Sequence, residues 1–419
     1  MKKNAFYAQS GGVTSVINAS ACGVIDAVLN NSDKIGTLYA GRNGILGALH
    51  EELIDVRQLS TEQIAQIRQT PGGAFGSCRF KLKSGPQYDA MYRRIIDVFK
   101  AHDIGYFFYN GGGDSQDTAD KIATFSRDMG YPIVSIGVPK TIDNDLPFTD
   151  SCPGFGSVAK YVAISTLEAS LDVASMAESS TKVFILEVMG RHTGWIAASA
   201  GLIKQVDADP PHIILFPERV FDEQAFCDRV AYAVKNYGYC TIVTSEGIRN
   251  SEGAFLSERG TTDSFGHKQL GGVAPVLAQL IQEKLGYKYH WAVSDYLQRA
   301  ARHIASGTDT EQAYALGQHA VALALSGKNA CMPIVVRDSD KPYRWHLSDV
   351  PLSTVANQER PLPDNYIDDT GFAITPACLD YLSPLIQGEA YPTYTNGLPN
   401  YARIPFTCVE AKLPKWKQS

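Results

Sequence analysis

Residues 104–138 read IGYFFYNGGGDSQDTADKIATFSRDMGYPIVSIGV, and they decide the fold class. A nearly continuous apolar run (104–110) stops at three glycines and an aspartate. A helical pattern follows over 115–129, and a second apolar run (132–138) closes the unit. Strands that are apolar on consecutive positions expect helices on both faces, as in a parallel sheet. Strand, helix, strand at this spacing reads as one βαβ unit.

The alternation continues outward in both directions. Further strands are expected at 5–9, 34–40, 182–188, 212–216, 239–245 and 332–338, with helices at 14–30, 89–102, 157–179 and 222–238. Ser60 and Gln63 form a capping box ahead of TEQIAQIRQ. At 419 residues the chain exceeds one core. The reading is α/β: two Rossmann-like domains with mostly parallel sheets, the active site in the cleft between them, and a C-terminal extension. The boundaries expected are 1–145 with roughly 300–340, then 146–299, then an extension over 341–419, where Pro, Tyr and polar residues become denser.

Composition excludes some function classes. A net charge of −6 gives no support for binding nucleic acid or an anionic membrane, so an anionic substrate must be attracted by local basic residues. No apolar run reaches the ~20 residues of a membrane span, and the N-terminus runs straight into a strand, so a cytoplasmic protein is expected. The eight cysteines show no CxxC and no clustering with histidine, which argues for buried thiols rather than a metal site.

Ligands of open α/β sheets collect where strands end and helices begin. AQSGGVTS (8–15) places Gly11 and Gly12 there, where backbone N–H groups and a helix start would favour an anion. YNGGGDSQDTA (109–119) offers Gly111, Gly112 and Gly113 to phosphate oxygens, with Asp114 able to hold Mg²⁺ against them. That loop is neither a P-loop nor a G-x-G-x-x-G fingerprint, and Asp114 or Ser115 could simply cap the helix. VPKTIDND (138–145) crowds Lys140, Thr141, Asp143 and Asp145 behind an apolar strand. In an extended segment the two aspartates would point the same way, one as base and the other toward a metal or substrate. LEVMGRHTGWIAA (186–198) sets Met189, Gly190 and Arg191 after a strand, the arginine suited to bidentate oxyanion binding. Glu246 in TSEG and Tyr296 with Arg299 in DYLQR end two more strands. Each alone also reads as an ordinary turn; their shared place at strand ends argues for a site.

Together these residues resemble the phosphofructokinase family. SGG (10–12), FGSCRF (75–80), GGGDS (111–115), PKTIDND (139–145), EVMGR (187–191), SEG (245–247) and YLQR (296–299) fall in the family's order across residues 4–330. The resemblance implies Mg²⁺-dependent phosphoryl transfer to the 1-hydroxyl of fructose 6-phosphate. It makes 1–145 the donor-binding domain and 146–299 the sugar-phosphate domain. By it Asp143 is the base, Asp145 assists, and Thr141 holds the sugar or the migrating phosphoryl. Met189, Gly190, Arg191 and Glu246 bind the sugar, and Tyr296 and Arg299 grip the 6-phosphate. Gly11, Gly12, Arg79, Gly112, Gly113 and Ser115 cradle the donor. Lys182 reaches a neighbouring subunit's site, implying a homodimer or tetramer with sites completed across subunits.

Departures from the family pattern name the donor. ATP-using members have glycine where Lys140 stands and G-G-D-G-S where this chain has GGGDS, so Gly113 replaces an aspartate and Asp114 a glycine. Lys140 with Asp114 resembles the pyrophosphate-dependent members. A carboxylate at 114 would repel an α-phosphate by ~4 kcal/mol at ~4 Å and an effective dielectric of ~20. Lys140 would neutralise the leaving phosphate. Asp114 is taken as the metal contact. Cys22 and Asp26 stand where allosteric members carry arginines, so no effector site of that kind is expected, and His290 lies near a usually basic position. The rival readings are an ATP-dependent kinase of the same fold, a non-catalytic phosphosugar sensor, and a dinucleotide-dependent oxidoreductase that lacks its fingerprint.

Overall fold

Six strands come first: β1 (Asn4–Ser10), β2 (Leu38–Gly41), β3 (Leu53–Asp55), β4 (Ser77–Cys78), β5 (Ile104–Gly111) and β6 (Val134–Pro139). After them come β7 (Val183–Val188), β8 (Ile213–Leu215), β9 (Cys240–Ser245), the hairpin β10 (Glu258–Thr262) and β11 (Lys268–Leu270), and β12 (Tyr289–Val293). The chain then returns with β13 (Cys331–Asp340) and β14 (Tyr343–Pro351). This computed structural model describes residues 2–83, 85–262, 268–270 and 272–416.

Two main sheets result. One runs β14-β13-β6-β5-β1-β2-β3, with β4 beside the end of β1; the other runs β12-β7-β9-β8. The second is parallel throughout, and the first is parallel except at β2–β3 and β13–β14. The apolar runs are continuous because the first sheet is covered on both faces. β1 sends Phe6 and Ala8 into one buried layer and Ala5 and Tyr7 into the other, and β5 divides Phe107 and Phe108 the same way. Each large side chain so buried contributes about 1.5–3 kcal/mol.

Helix Ile17–Asn30 crosses helix Gly307–Leu325 closely on one face of this sheet. A Cβ at Gly23 would lie 2.1 Å from the Tyr314 carbonyl oxygen, and one at Gly317 would lie 2.2 Å from that of Ser20. Only glycine permits that approach. Helix Gly307–Leu325 thereby packs on the first sheet, to which β13 adds a strand.

Two expectations need correction. Strand β2 begins at Leu38 rather than 34, because Lys34 and Ile35 donate to the Asn31 carbonyl in a turn that closes the preceding helix. The extension expected from 341 starts later, since β14 pairs antiparallel with β13 as the sheet's edge. The stretch beyond β14 then serves both domains. Leu352 and Val355 enter the first core, while Leu362, Ile367, Cys378, Tyr381, Leu382 and Leu385 enter the second. All eight cysteines are free, six of them buried. Among the described residues, no helix is long and apolar enough to cross a membrane.

Candidate active site

Strand ends from both sheets meet in one cleft of about 710 Å³. Gly12 follows β1, Arg79 follows β4, Gly112–Asp114 follow β5 and Lys140–Asp145 follow β6. From the second sheet come Met189 and Arg191 after β7, Glu246 after β9 and Arg299 after β12. An adjoining pocket of about 290 Å³ adds Gly11 and Ser115. A larger hollow, about 930 Å³, lies between the end of β8 and residues 364–375 and holds none of the expected residues.

Three cations converge on Gly11–Gly12. The Lys140 ammonium donates to the Gly12 carbonyl at 2.6 Å. A Cβ built on Gly12 would meet Arg299 Nη1 at 2.6 Å and Arg79 Nη2 at 3.7 Å. Burial pulls the Lys140 pKa down to about 8; Asp143 and Asp145 oppose the fall, and Arg299 and Arg79 deepen it. Helix Ile17–Asn30 begins only at Ile17, so the expected helix start does not lie at the glycines. Side-chain cations take the place of its dipole.

The aspartates are not held by an extended segment. Asn144 between them has φ +54°, so the chain turns through the left-handed region there. Both carboxylates still line the cleft. Asp143 donates its N–H to Thr141 Oγ1 at 3.0 Å, and Thr193 Oγ1 donates to the Asp143 carbonyl at 3.2 Å. Desolvation at the cleft floor, then Asp145 and Glu246, push the Asp143 carboxyl up to about 7, against the pull of Lys140 and Thr141. Asp145 is also raised, mainly by burial. Its Oδ1 is buried and has no hydrogen-bond partner.

Asp114 sits differently from its expected setting. No side chain caps helix Gly113–Asp128, so neither Asp114 nor Ser115 is a cap, and the helix start opens on the cleft. The Asp114 carboxylate is 54% exposed and accepts from Lys81 at 2.5 Å. Solvent and that cation screen its charge, so the ~4 kcal/mol repulsion of an α-phosphate is an overestimate; exposed pairs contribute roughly 0–1 kcal/mol.

The second sheet shapes the rest. Ser245 Oγ donates to the Gly190 carbonyl at 2.5 Å, and Met189 N–H donates to Gln298 Oε1 at 3.2 Å. A Cβ on Gly247 would fall 1.9 Å from the Arg191 carbonyl oxygen, so the SEG glycine lets the two loops pass. Burial raises the Glu246 carboxyl, and Arg191 opposes the rise. Tyr296 is exposed and does not line the cleft; the Arg299 guanidinium, which does, lies 3.8 Å from its ring centroid. Lys182 precedes β7, at the end of the strand away from the cleft, and its ammonium donates to the Ala177 carbonyl. His290 lies on β12, also outside the cleft lining.

Sequence reasoning missed one wall of the cleft. Asn357, Gln358 and Glu359 line it from beyond β14, and Glu359 meets His192 Nδ1 at 3.2 Å. Nothing in those residue types announces a site. His192 could have been suspected from its place beside Arg191.

A profile described as "Phosphofructokinase" matches residues 4–324. The chain belongs to the phosphofructokinase family. Among its relatives in that family, the pyrophosphate–fructose 6-phosphate 1-phosphotransferase of Halomonas elongata is 61% identical, with 99% of each chain covered. The protein of the same name from Methylococcus capsulatus is 59% identical, with 98% of each covered. Among solved structures, the pyrophosphate-dependent phosphofructokinase of Marinobacter aquaeolei superposes with a TM-score of 0.91 at 59% identity, covering 99% of each chain. Its counterpart from Nitrosospira multiformis gives 0.92 at 56% identity over 100% of each.

Proposed function

We propose that this chain reversibly transfers a phosphoryl group from pyrophosphate to the 1-hydroxyl of fructose 6-phosphate, giving fructose 1,6-bisphosphate and phosphate, as a cytoplasmic glycolytic enzyme. One observation carries the donor: a buried lysine and two arginines meet at the Gly11–Gly12 turn, in the same cleft as a carboxyl whose pKa lies near neutrality. Pyrophosphate rests on Gly11, Gly12 and the Gly112, Gly113 and Ser115 loop, with Arg79 and Lys140 on its oxygens. Asp143 takes the proton of the 1-hydroxyl as that oxygen bonds to phosphorus in line with the P–O–P bridge. The bridge breaks, and the leaving phosphate keeps the electron pair beside Lys140. Thr141 steadies Asp143 and meets the sugar or the migrating phosphoryl.

Met189, Gly190, Arg191 and Glu246 receive the sugar. Tyr296 and Arg299 are assigned to its 6-phosphate, although Arg299 also reaches Gly12 and so stands between the two substrates. A divalent ion, expected as Mg²⁺, fits the unpartnered Asp145 oxygen with Asp143 beside it better than the Lys81-paired Asp114. No cluster of three or more His, Cys, Asp or Glu ligands occurs among the described residues, which suits an ion bound largely through substrate phosphates. When bound it would offset the donor's charge. Lys182 is assigned to a neighbouring subunit's site, so a homodimer or tetramer is proposed; exposed Trp291 and Val293 on the edge strand β12 support that reading.

The test is Asp143→Asn assayed beside the parent protein with pyrophosphate or ATP in parallel. The variant should bind fructose 6-phosphate normally by calorimetry yet turn over about 10²–10⁴-fold more slowly. A change confined to the Michaelis constant would remove Asp143 as base, and preferential use of ATP by the parent would remove the donor assignment.

A further inference from the structure

The segment that follows β14 passes across the active site and then under it. Asn357, Gln358 and Glu359 line the cleft, and the next residue, Arg360, lies beneath the loop that carries Asp143 and Asp145. Its guanidinium donates from Nε and Nη2 to the Asn144 carbonyl at 3.1 and 2.9 Å. Nη1 donates to the carbonyls of Thr149 at 2.6 Å and Asp150 at 3.1 Å. The Arg360 N–H donates to the Asp145 carbonyl at 2.7 Å. One residue therefore ties both ends of the stretch from Asn144 to Asp150.

Asn144 is the residue at φ +54°. A left-handed turn between the aspartates fixes where each carboxylate points; asparagine is one of the few non-glycine residues that adopts it readily, and the hydrogen bonds that support the turn set its orientation in the site. The Asn144 side chain gives part of the support, donating to Tyr381 Oη at 2.9 Å and accepting from Cys152 N–H at 3.0 Å. The carbonyl depends on Arg360. The guanidinium is itself held: it lies 4.9 Å from the Trp195 ring centroid, and Trp195 Nε1 donates to the Arg360 carbonyl at 3.0 Å. A lysine has no planar fork to serve three carbonyls at once.

We propose that Arg360 is a positioning residue for phosphoryl transfer, holding the left-handed turn at Asn144 so that Asp143 and Asp145 face the substrates. The proposal rests on Asp143 being the base. It gives the C-terminal segment, 216 residues from Asn144 in sequence, a place in the reaction.

The experiment uses full-length Arg360→Lys and Arg360→Ala beside Asp143→Asn, with folding checked by thermal melting and fructose 6-phosphate binding by calorimetry. Turnover in Arg360→Lys should fall about 10²-fold, as expected when reacting groups move by about 1 Å. Michaelis constants for both substrates should stay within about threefold, because the lost interaction acts on the transition state. Added guanidinium ion, well below denaturing concentration, should restore Arg360→Ala by about tenfold and leave Asp143→Asn unchanged. Near-parental turnover in Arg360→Lys overturns the proposal, and so does a loss that falls on the Michaelis constants. Folded Arg360→Ala that guanidinium fails to rescue overturns it as well. Should Arg360→Ala not fold, Arg360→Lys alone decides. Retained turnover in Asp143→Asn would instead strike the base assignment, whatever the Arg360 variants do.

Discussion

Replacing Lys140 by methionine keeps an unbranched side chain, one heavy atom shorter, and removes its charge from the centre of the site. The ammonium is buried, donates to the Gly12 carbonyl at 2.6 Å, and opposes the upward push on Asp143. Loss of one preorganised donor to developing charge costs about 2.7–4 kcal/mol, or roughly 10²–10³ in turnover. The pH profile carries the sharper signal. Asp143 must be ionised to act, so kcat/KM is lost as pH falls through about 7. Lys140 must be protonated to act, so kcat/KM is lost as pH rises through about 8. Two limbs about one unit apart give a narrow bell peaking near 7.5, with roughly 60% of the enzyme correctly protonated; both limbs are properties of the coupled site. In Lys140→Met the alkaline limb should vanish, and the acid limb should move upward because the cation no longer favours the carboxylate. Initial rates of fructose 1,6-bisphosphate formation between pH 5.5 and 9.5 (a range of about one and a half units beyond each limb) would show both changes. An unmoved alkaline limb in the variant would refute the reasoning, since some other group would then be titrating.

Two further outcomes bear on the donor and the metal. Asp114→Asn should alter the ratio of ATP to pyrophosphate use by less than about fivefold, because its charge is exposed and already paired with Lys81. Asp114→Gly combined with Lys140→Gly, which clears space as well, should raise that ratio by more than tenfold, about 1.4 kcal/mol; parallel donor assays read both. Asp145→Asn should raise the Mg²⁺ concentration needed for half-maximal rate by about tenfold or more, whereas Asp114→Asn should leave it nearly unchanged. The opposite order would return the metal to Asp114.

Much of the site was legible because its chemistry is local. GGGDS, PKTIDND and EVMGR each lie within a few residues of a strand end, and consecutive apolar strands announce a parallel sheet whose strand ends share one side. What stayed hidden depends on contacts distant in sequence. Lys81 neutralises Asp114 across 33 residues, and Arg360 supports Asn144 across 216. The left-handed turn at Asn144 was hidden for a related reason, since asparagine tolerates that conformation without declaring it. The start of the extension was misplaced because KPYRWH has the proline and polar density of a loop. Tyr343 and Trp345 nonetheless sit on an edge strand, where only one side needs a partner.

On the proposed reading, donor choice in this cleft rests more on filled space than on repulsion. The charge at 114 is screened by Lys81, so an α-phosphate would meet less opposition than the carboxylate alone suggests. The space is closed from two directions. Lys81 donates to Asp114 at 2.5 Å and also approaches Asn357 Oδ1 at 3.4 Å, so the loop after β4, the helix start after β5 and the C-terminal segment join over the donor loop. A Cβ at Gly113 would stand 3.8 Å from the Gln358 carbonyl oxygen. An aspartate there would begin in ordinary contact and then extend its carboxylate toward a carbonyl with no proton to share. The glycine at 113 and the segment at 357–359 are therefore two sides of one arrangement, in which a carboxylate at that corner has been exchanged for a main-chain wall.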